Sequence, residues 1–575
     1  MRDKVHKNIL KLVDKNFPFD DYRPHQKETI AEIVSALISG SKNVVLEGAC
    51  GSGKSAIAVT IASILKNAYF ITAQKTLQRQ YLNDFPDIVD LKGRNAYPCW
   101  FMMDHLGVNK YCGCDKGQCT RRRKSFLKLC LEKNKCQYAN QLIAASEAAN
   151  VMFNFSSFLF QREMAHRFTG AKSLLVLDEC HGTEQQIMNF VEVTIFESDI
   201  DETLPELDTV EQYVSFFESI ELASKLSEKV EELHRDLEDI IGQPMSDDNK
   251  TVKFATNSGA RVIDVEDVYS AEDTIELDNE EDQEMADNID KEIKRYKSAL
   301  YKYSSLKDYV SNVRCICEYD KKRKSVTIKP LYATYHTPKL LLSGGKNRLL
   351  MSATILNAKV FGESIGLDMS KTHSIRVPHT FPVQNRLIHL DYAGPMNYKS
   401  RAKSMPKMIN KVDKLMSKHQ NEKGIIHCQS FKFMQEIIDG VDSGNRGRLL
   451  NQKMFNNKDD LLQAHSVSSN TVIIAPAMHE GLDLKDDLSR FQILCKVPYP
   501  DSRDNKQLRI RTDENWNYYL WLTALKLVQS CGRSVRSETD YAATYIIDAD
   551  FDKFFNMADR AGLFPDWFIE SLVVD

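Results

Sequence analysis

From Asn43 onward the chain repeats one pattern: a short unbroken apolar run closed by a turn residue, then a longer stretch with apolar positions at helical spacing. The strands this predicts are NVVLEG (43–48), AYFITA (68–73), SLLVLDE (173–179) and RLLMSAT (348–354). Later come KGIIHC (423–428), TVIIAP (471–476), FQILCKVP (491–498) and TYIIDAD (544–550). Runs that are apolar at every position, not at alternate ones, suit parallel strands covered by helices on both faces. Ahead of them, MRDKVHKNILKLVDKNF is amphipathic, with Ile9, Leu10 and Val13 at helical spacing. It lacks the apolar run and small-residue cleavage site of a secretory signal.

Two segments interrupt the rhythm. Residues 93–140 are rich in Cys, Lys and Arg, and 190–335 reads as long polar-faced helices such as EQYVSFFESIELASKLSEKVEELHRDLEDII (211–241). An acidic run at 264–290 within the second reads as a solvated face or loop. At 575 residues the chain exceeds one hydrophobic core, so several domains are expected. Its 42% hydrophobic and 27% charged residues are ordinary for a globular protein. A net charge of -4 excludes a histone-like polycation, but not a nucleic-acid binder with local basic stripes. No apolar stretch is long enough for a membrane span. Of the thirteen cysteines, six fall between Cys99 and Cys136, which in a cytosolic setting suggests metal ligation before disulfides.

The firmest chemistry lies at the first strand end. Residues 48–55, GACGSGKS, form a complete G-x-x-x-x-G-K-S phosphate loop between a strand and a helical run. Gly48, Gly51 and Gly53 let backbone N–H groups curl around phosphates, and the helix N-terminus adds its dipole. Lys54 is placed to reach the β- and γ-phosphates, and the Ser55 hydroxyl to hold Mg²⁺. Asp178-Glu179 ends another apolar strand. Asp178 there can bind Mg²⁺, and Glu179 can orient and deprotonate an attacking water. A carboxylate pair alone could be surface charge; beside a phosphate loop it predicts ATP hydrolysis.

Near the C-terminus, Gln529 to Arg536 (QSCGRSVR) follows the aromatic helical stretch WNYYLWLTALKLVQS. Arg533 and Arg536 are three apart, so on a helix they share a face and could grip a γ-phosphate across a cleft. Alone, such a pair is more commonly surface charge.

In this order the motifs resemble a superfamily 2 helicase, and more narrowly the XPD/DinG-type iron–sulphur DNA helicases. YRPHQ (22–26) resembles the upstream element whose glutamine, here Gln26, is expected near the nucleotide. The phosphate loop is motif I, and TAQKTLQRQ (72–80), from Thr72 to Gln80, resembles the strand-contacting motif Ia. DECH (178–181) resembles the D-E-A-H box, and Ser352-Ala353-Thr354 motif III. Phe381-Pro382 with Asn385-Arg386 resembles F-P-x-x-N-R, GIIHCQS (424–430), ending at Ser430, motif IV, and EGLD (480–483) motif V. KVPYP (496–500) and Gln529 to Arg536 match the K-x-P-[FY]-P element and motif VI. The resemblance spans roughly residues 19–550 and implies that Gln26, Asp483 and Gln529 join the phosphate loop in binding ATP. Arg533 and Arg536 become arginine fingers, and Thr72, Gln80 and Ser430 strand contacts.

GRNAYPC (93–99) resembles the family's entry to a cluster domain, and Cys136-Gln137-Tyr138 its exit, with Gln in place of Pro. The resemblance therefore implies Cys99 and Cys136 as outer ligands. The middle two come from Cys112, Cys114, Cys119 and Cys130. A DinG-like spacing of six before Cys136 favours Cys130, with Cys119 as the fourth and a Cys112/Cys114 pair as the alternative. Four thiolates hold either 4Fe-4S or Zn²⁺, and the resemblance implies iron. Arg94 and the basic run Arg121, Arg122, Arg123, Lys124 are candidate phosphate contacts, or a solvated face.

The expectation is an α/β protein of two RecA-like parallel-sheet motor domains. The first comprises 1–92, 141–189 and 336–357, interrupted by an iron–sulphur insertion (93–140) and a helical Arch (190–335); the second is 358–575. The implied activity is ATP-dependent, 5′-to-3′ translocation on single-stranded DNA. It would unwind forked duplex or R-loop-like substrates, RNA–DNA hybrid included, in repair, replication or recombination. The cofactors are ATP, Mg²⁺ and 4Fe-4S. The rivals are a translocase that remodels nucleoprotein without unwinding and a non-catalytic single-strand-binding scaffold. A monomer in the cytoplasm of a bacterial or virus-infected cell, associated with the nucleoid and not with membrane, completes the expectation.

Overall fold

The computed structural model describes residues 2–49, 51–100, 103, 112–116, 134–200, 202–241, 280–476, 484, 486–503, 505–532, 534–535 and 537–574. Among them, two seven-stranded parallel sheets form the frame. The first runs Thr372–Arg376, Asn43–Glu47, Gly345–Ser352, Lys172–Asp178, Ala68–Thr72, Asn150–Asn154, Val89–Asp90. The second runs Leu449–Leu450, Val472–Ala475, Gly424–His427, Phe491–Leu494, Ala543–Asp548, Ile388–Gly394, Leu572–Val574. Every strand the apolar runs predict is present. Asn43–Glu47 and Ala68–Thr72 are buried at all five positions, as strands covered on both faces must be.

The first lobe extends further than its motifs suggest. Thr372–Arg376 pairs in parallel with Asn43–Glu47, so the first sheet closes after residue 357, where the apolar pattern ends it. This edge strand, THSIR, has only Ile375 fully buried, so it carries no continuous apolar run. Ile388–Gly394 and Leu572–Val574 similarly join the second sheet without a strong apolar signature.

The insertion at 190–335 is built on a small antiparallel sheet of Val193–Phe196, Ser325–Pro330 and Cys315–Asp320. Above it, the run at 211–241 is two helices, Val210–Ser219 and Leu222–Ile241. The break falls at Ile220-Glu221, where Glu221 has φ 51. Leu222–Ile241 packs along Glu280–Tyr309 through Leu237, Ala286 and Ile293. Part of the acidic run, 280–290, thus begins a helix; 264–279 lie outside the described residues. The N-terminal helix, Arg2–Asn16, buries Ile9 and Val13 against the first lobe. Among the described residues no helix is long and apolar enough to cross a membrane.

Candidate nucleotide site and strand face

The phosphate loop lies between the buried strand Asn43–Glu47 and the helix Lys54–Leu65. Gly51 (φ 82) and Gly53 (φ 78) are left-handed, a conformation that costs a side-chain-bearing residue free energy. At Gly53 the requirement is doubled: an added Cβ would lie 2.1 Å from Gln26 Nε2. That amide donates to Gly53 O at 3.0 Å, so the upstream glutamine holds the loop itself. Lys54 Nζ donates to Gly48 O (2.9 Å) and Ala49 O (3.3 Å), curled over the loop. Ser52 Oγ is buried with no hydrogen-bond partner among the described residues, which suits a loop built to close on an anion.

Asp178 ends its strand almost wholly buried. Oδ1 accepts from Glu179 N at 2.9 Å and Oδ2 from Tyr81 Oη at 2.8 Å. Burial, with Glu179 alongside, pushes its carboxyl up to about 6, against the pull of Lys54. Tyr81 also lies beside the Ser55 side chain. Hydroxyl and carboxylate oxygens thus converge, a donor set that fits a hard divalent cation such as Mg²⁺.

Glu179 is itself left-handed (φ 53), a strained setting for a residue that carries a Cβ. Its Oε2 lies 3.3 Å from both Ser352 Oγ and His181 Nδ1, and those two are 2.8 Å apart. The D-E-C-H box and motif III are thus one hydrogen-bonded unit. Glu47 anchors the next turn. Its Oε1 accepts from Ile355 N and Leu356 N at 2.9 Å, and Oε2 pairs with Arg376 Nε at 2.7 Å.

The two lobes meet over this site. One cleft is lined by Ala49, Glu179, His181 and Thr354 from the first lobe and by Gln529, Gly532 and Val535 from the second. Arg533, Arg536 and Asp483 lie outside the described residues; Gly532 and Val535 line the cleft that Glu179 faces.

The strand-contact candidates separate into different settings. Thr72 is fully buried and its hydroxyl accepts from Gln74 N at 3.3 Å, so it braces a turn and does not face a ligand. Gln80 is exposed on the helix Lys75–Asp84. Arg94, half-buried over the Tyr138 ring, lines a cavity of about 600 Å³ with Lys75, Asn154 and Phe160 of the first lobe and Tyr301 and Lys302 of the helical insertion. Ser430 caps the helix Phe431–Gly440 and opens onto a second cavity of about 800 Å³, whose cations are Arg401, Lys496, Arg503 and Lys526. The apolar pattern gives no hint of these cations, which are scattered through the chain and meet only in the fold. Arg121 and Arg122 lie outside the described residues.

Cys99, Cys112, Cys114 and Cys136 are all buried. The chain around Cys99 pairs with that around Cys114: Cys99 N donates to Cys112 O and Cys114 N to Tyr97 O, both at 2.8 Å. The Cys114 thiol reaches both the Cys99 and the Cys136 thiols. Cys114, the alternative from spacing, is therefore the middle cysteine seen against the outer pair, while Cys119 and Cys130 lie outside the described residues. Among the described residues no set of three or more His, Cys, Asp or Glu is arranged as a metal site. The chemistry of the donors, buried and all sulphur, fits a soft metal or an iron–sulphur cluster.

A helicase C-terminal domain model matches residues 413–570, and the model of the type III restriction enzyme res subunit matches residues 20–202. Over 96 residues the chain is 31% identical to the ATP-dependent DNA helicase CHL1 of Candida albicans, covering 14% of this chain and 11% of that protein. The chain thus spans about a tenth of that curated relative's length. An XPD helicase structure aligns over 97% of this chain and 100% of its own, at a TM-score of 0.62 and 15% identity. The Xpd4 structure from S. tokodaii aligns over 96% and 100%, at a TM-score of 0.52 and 13% identity. These likenesses show a shared fold that takes in both lobes.

Proposed function

We propose that this chain is an XPD/DinG-type superfamily 2 helicase, a motor that moves 5′ to 3′ along single-stranded DNA and opens forked duplex or R-loop-like substrates. The observation that carries the reading is the seam, where Ala49 and Glu179 of one lobe face Gln529 and Gly532 of the other. A triphosphate held there touches both lobes, so binding draws them together and hydrolysis lets them part. Gln26, the phosphate-loop glycines and Lys54 hold the phosphates. Ser55 and Asp178 would hold Mg²⁺, whose charge offsets that building on the phosphoryl oxygens. Glu179 accepts the proton of the attacking water. Arg533 and Arg536 reach the γ-phosphate from the second lobe, with Asp483 and Gln529 alongside.

The strand runs over the faces that carry Gln80, Arg94 and Ser430. Thr72 supports this path from beneath and makes no contact. Forks with a single 5′ or 3′ tail test direction: ATP-dependent unwinding confined to the 5′-tailed fork is expected. Unwinding from the 3′ tail alone would reverse the polarity, and strand-stimulated ATP turnover with no unwinding of either fork would favour a translocase.

Cys99, Cys114 and Cys136, with one of Cys112, Cys119 and Cys130, would hold a 4Fe-4S cluster, which when bound would cross-link the segments that carry these cysteines. Protein purified without oxygen is expected to be brown, with about four irons per chain. Cys99→Ser and Cys114→Ser should each bleach the visible absorption. A Cys114→Ser protein with full iron and colour would return the middle positions to Cys119 and Cys130. Colourless protein containing zinc would replace iron altogether.

A further inference from the structure

Tyr81 does something its position just after motif Ia does not announce. The helix Lys75–Asp84 has two faces: Lys75, Arg79 and Gln80 are exposed, while Gln78 and Tyr81 are buried. Tyr81 is fully buried, its phenol donates to Asp178 Oδ2 at 2.8 Å, and it lies beside the Ser55 side chain. Its phenol thus sits against both groups assigned to the cation. Gln78, one turn earlier, fixes the helix to Asp90 through Nε2–Oδ1 at 2.5 Å.

Tyr81 Oη on Oδ2 and Glu179 N on Oδ1 together fix the rotation of the Asp178 carboxylate on the side that faces Ser55. Because the opposite face of the same short helix meets solvent next to Gln80, any shift of that helix on a bound strand moves the phenol directly.

We propose that Tyr81 is a positioning residue for the metal site, and that through it the helix Lys75–Asp84 makes divalent-cation affinity depend on a bound strand. This rests on the motor reading above, with Ser55 and Asp178 as the cation's ligands. The probe is Mn²⁺, followed by the loss of its free EPR signal in full-length protein carrying ADP, with and without oligothymidylate. Tyr81→Phe removes one oxygen. Hydrogen bonds to charged groups contribute enough for half-saturation to move to about tenfold higher Mn²⁺ or more. Oligothymidylate should lower half-saturation in the wild type and leave Tyr81→Phe unmoved, and Tyr81→His, which keeps a ring donor, should recover part of the affinity. Mn²⁺ affinity in Tyr81→Phe within twofold of wild type would overturn the proposal. Should Tyr81→Phe not fold, the wild-type titration still decides: half-saturation indifferent to oligothymidylate overturns it. Wild-type protein whose ATP turnover ignores oligothymidylate would instead sink the motor reading itself, a separate failure.

Discussion

Glu179→Gln is expected to bind ATP normally and to lose strand-stimulated turnover by about 10²- to 10⁴-fold, the range a positioned general base supplies. The substitution keeps the shape and the hydrogen bond to Ser352 Oγ but cannot take up a proton. Glu179 reaches the cleft from a left-handed backbone, and its Oε2 rests 3.3 Å from both Ser352 and His181. Amide and carboxylate can both hold that rest position; only the carboxylate can leave it to accept a proton from water. Lys54→Ala should fail differently. Lys54 Nζ now donates to Gly48 O and Ala49 O, contacts it exchanges for phosphate oxygens when ATP enters, so its removal should weaken nucleotide binding as well as turnover. Measuring nucleotide affinity and turnover separately distinguishes the two. An Glu179→Gln protein that turns over ATP at the wild-type rate would remove the base from this role, and Lys54→Ala with undiminished affinity would do the same for the lysine.

Both variants fall at sites that are legible from sequence. The phosphate loop and the D-E-C-H box are local: strand, turn and helix lie within a dozen residues, and the chemistry needs those residue types in that order. The central strands are legible for a similar reason, since burial on both faces demands an apolar side chain at every position. Thr372–Arg376 defeats this logic because an edge strand is buried on one side and can be mostly polar. Thr72 shows the reverse error. A motif names a segment, and within it the pattern alone does not tell which residue faces solvent; here Gln80 is outside and Thr72 inside. Among the middle cysteines, spacing alone does not show that an antiparallel bridge between Pro98 and Gly113 brings Cys114 to the outer pair. Tyr81, Glu47 and Arg376 have no sequence signature, because each acts on a partner that is far away along the chain.

Arg511→Met is expected to loosen the seam between the lobes at a cost of about 3–5 kcal/mol, the penalty for leaving one member of a buried ion pair alone. Glu184 lies on the helix Thr183–Val191, directly after the D-E-C-H box, and Arg511 on Lys506–Glu514 of the second lobe. Arg511 Nη1 sits 2.6 Å from Glu184 Oε1, a charge contact whose angle falls short of a hydrogen bond, and both side chains are about nine-tenths buried. Tyr518 Oη donates to Glu184 Oε2 at 2.8 Å, and the Arg511 guanidinium stacks 3.9 Å above the Tyr518 ring. Tyr518 shares the helix Trp516–Cys531 with Gln529, and Trp521 of that helix donates through Nε1 to Ile355 O at 2.8 Å, just past motif III. The pair thus ties the segment after the D-E-C-H box to the helix that leads into motif VI. Removing the arginine strands a buried carboxylate there; removing both charges does not. In thermal unfolding, Arg511→Met should melt well below wild type, and Glu184→Met with Arg511→Met should regain most of the loss. Its strand-stimulated ATP turnover should stay low even in the double variant, because apolar packing restores the contact without restoring its directional grip on Tyr518. A single variant that melts with the wild type would mean that other contacts hold the seam, and a double variant with full turnover would reduce the ion pair to packing alone.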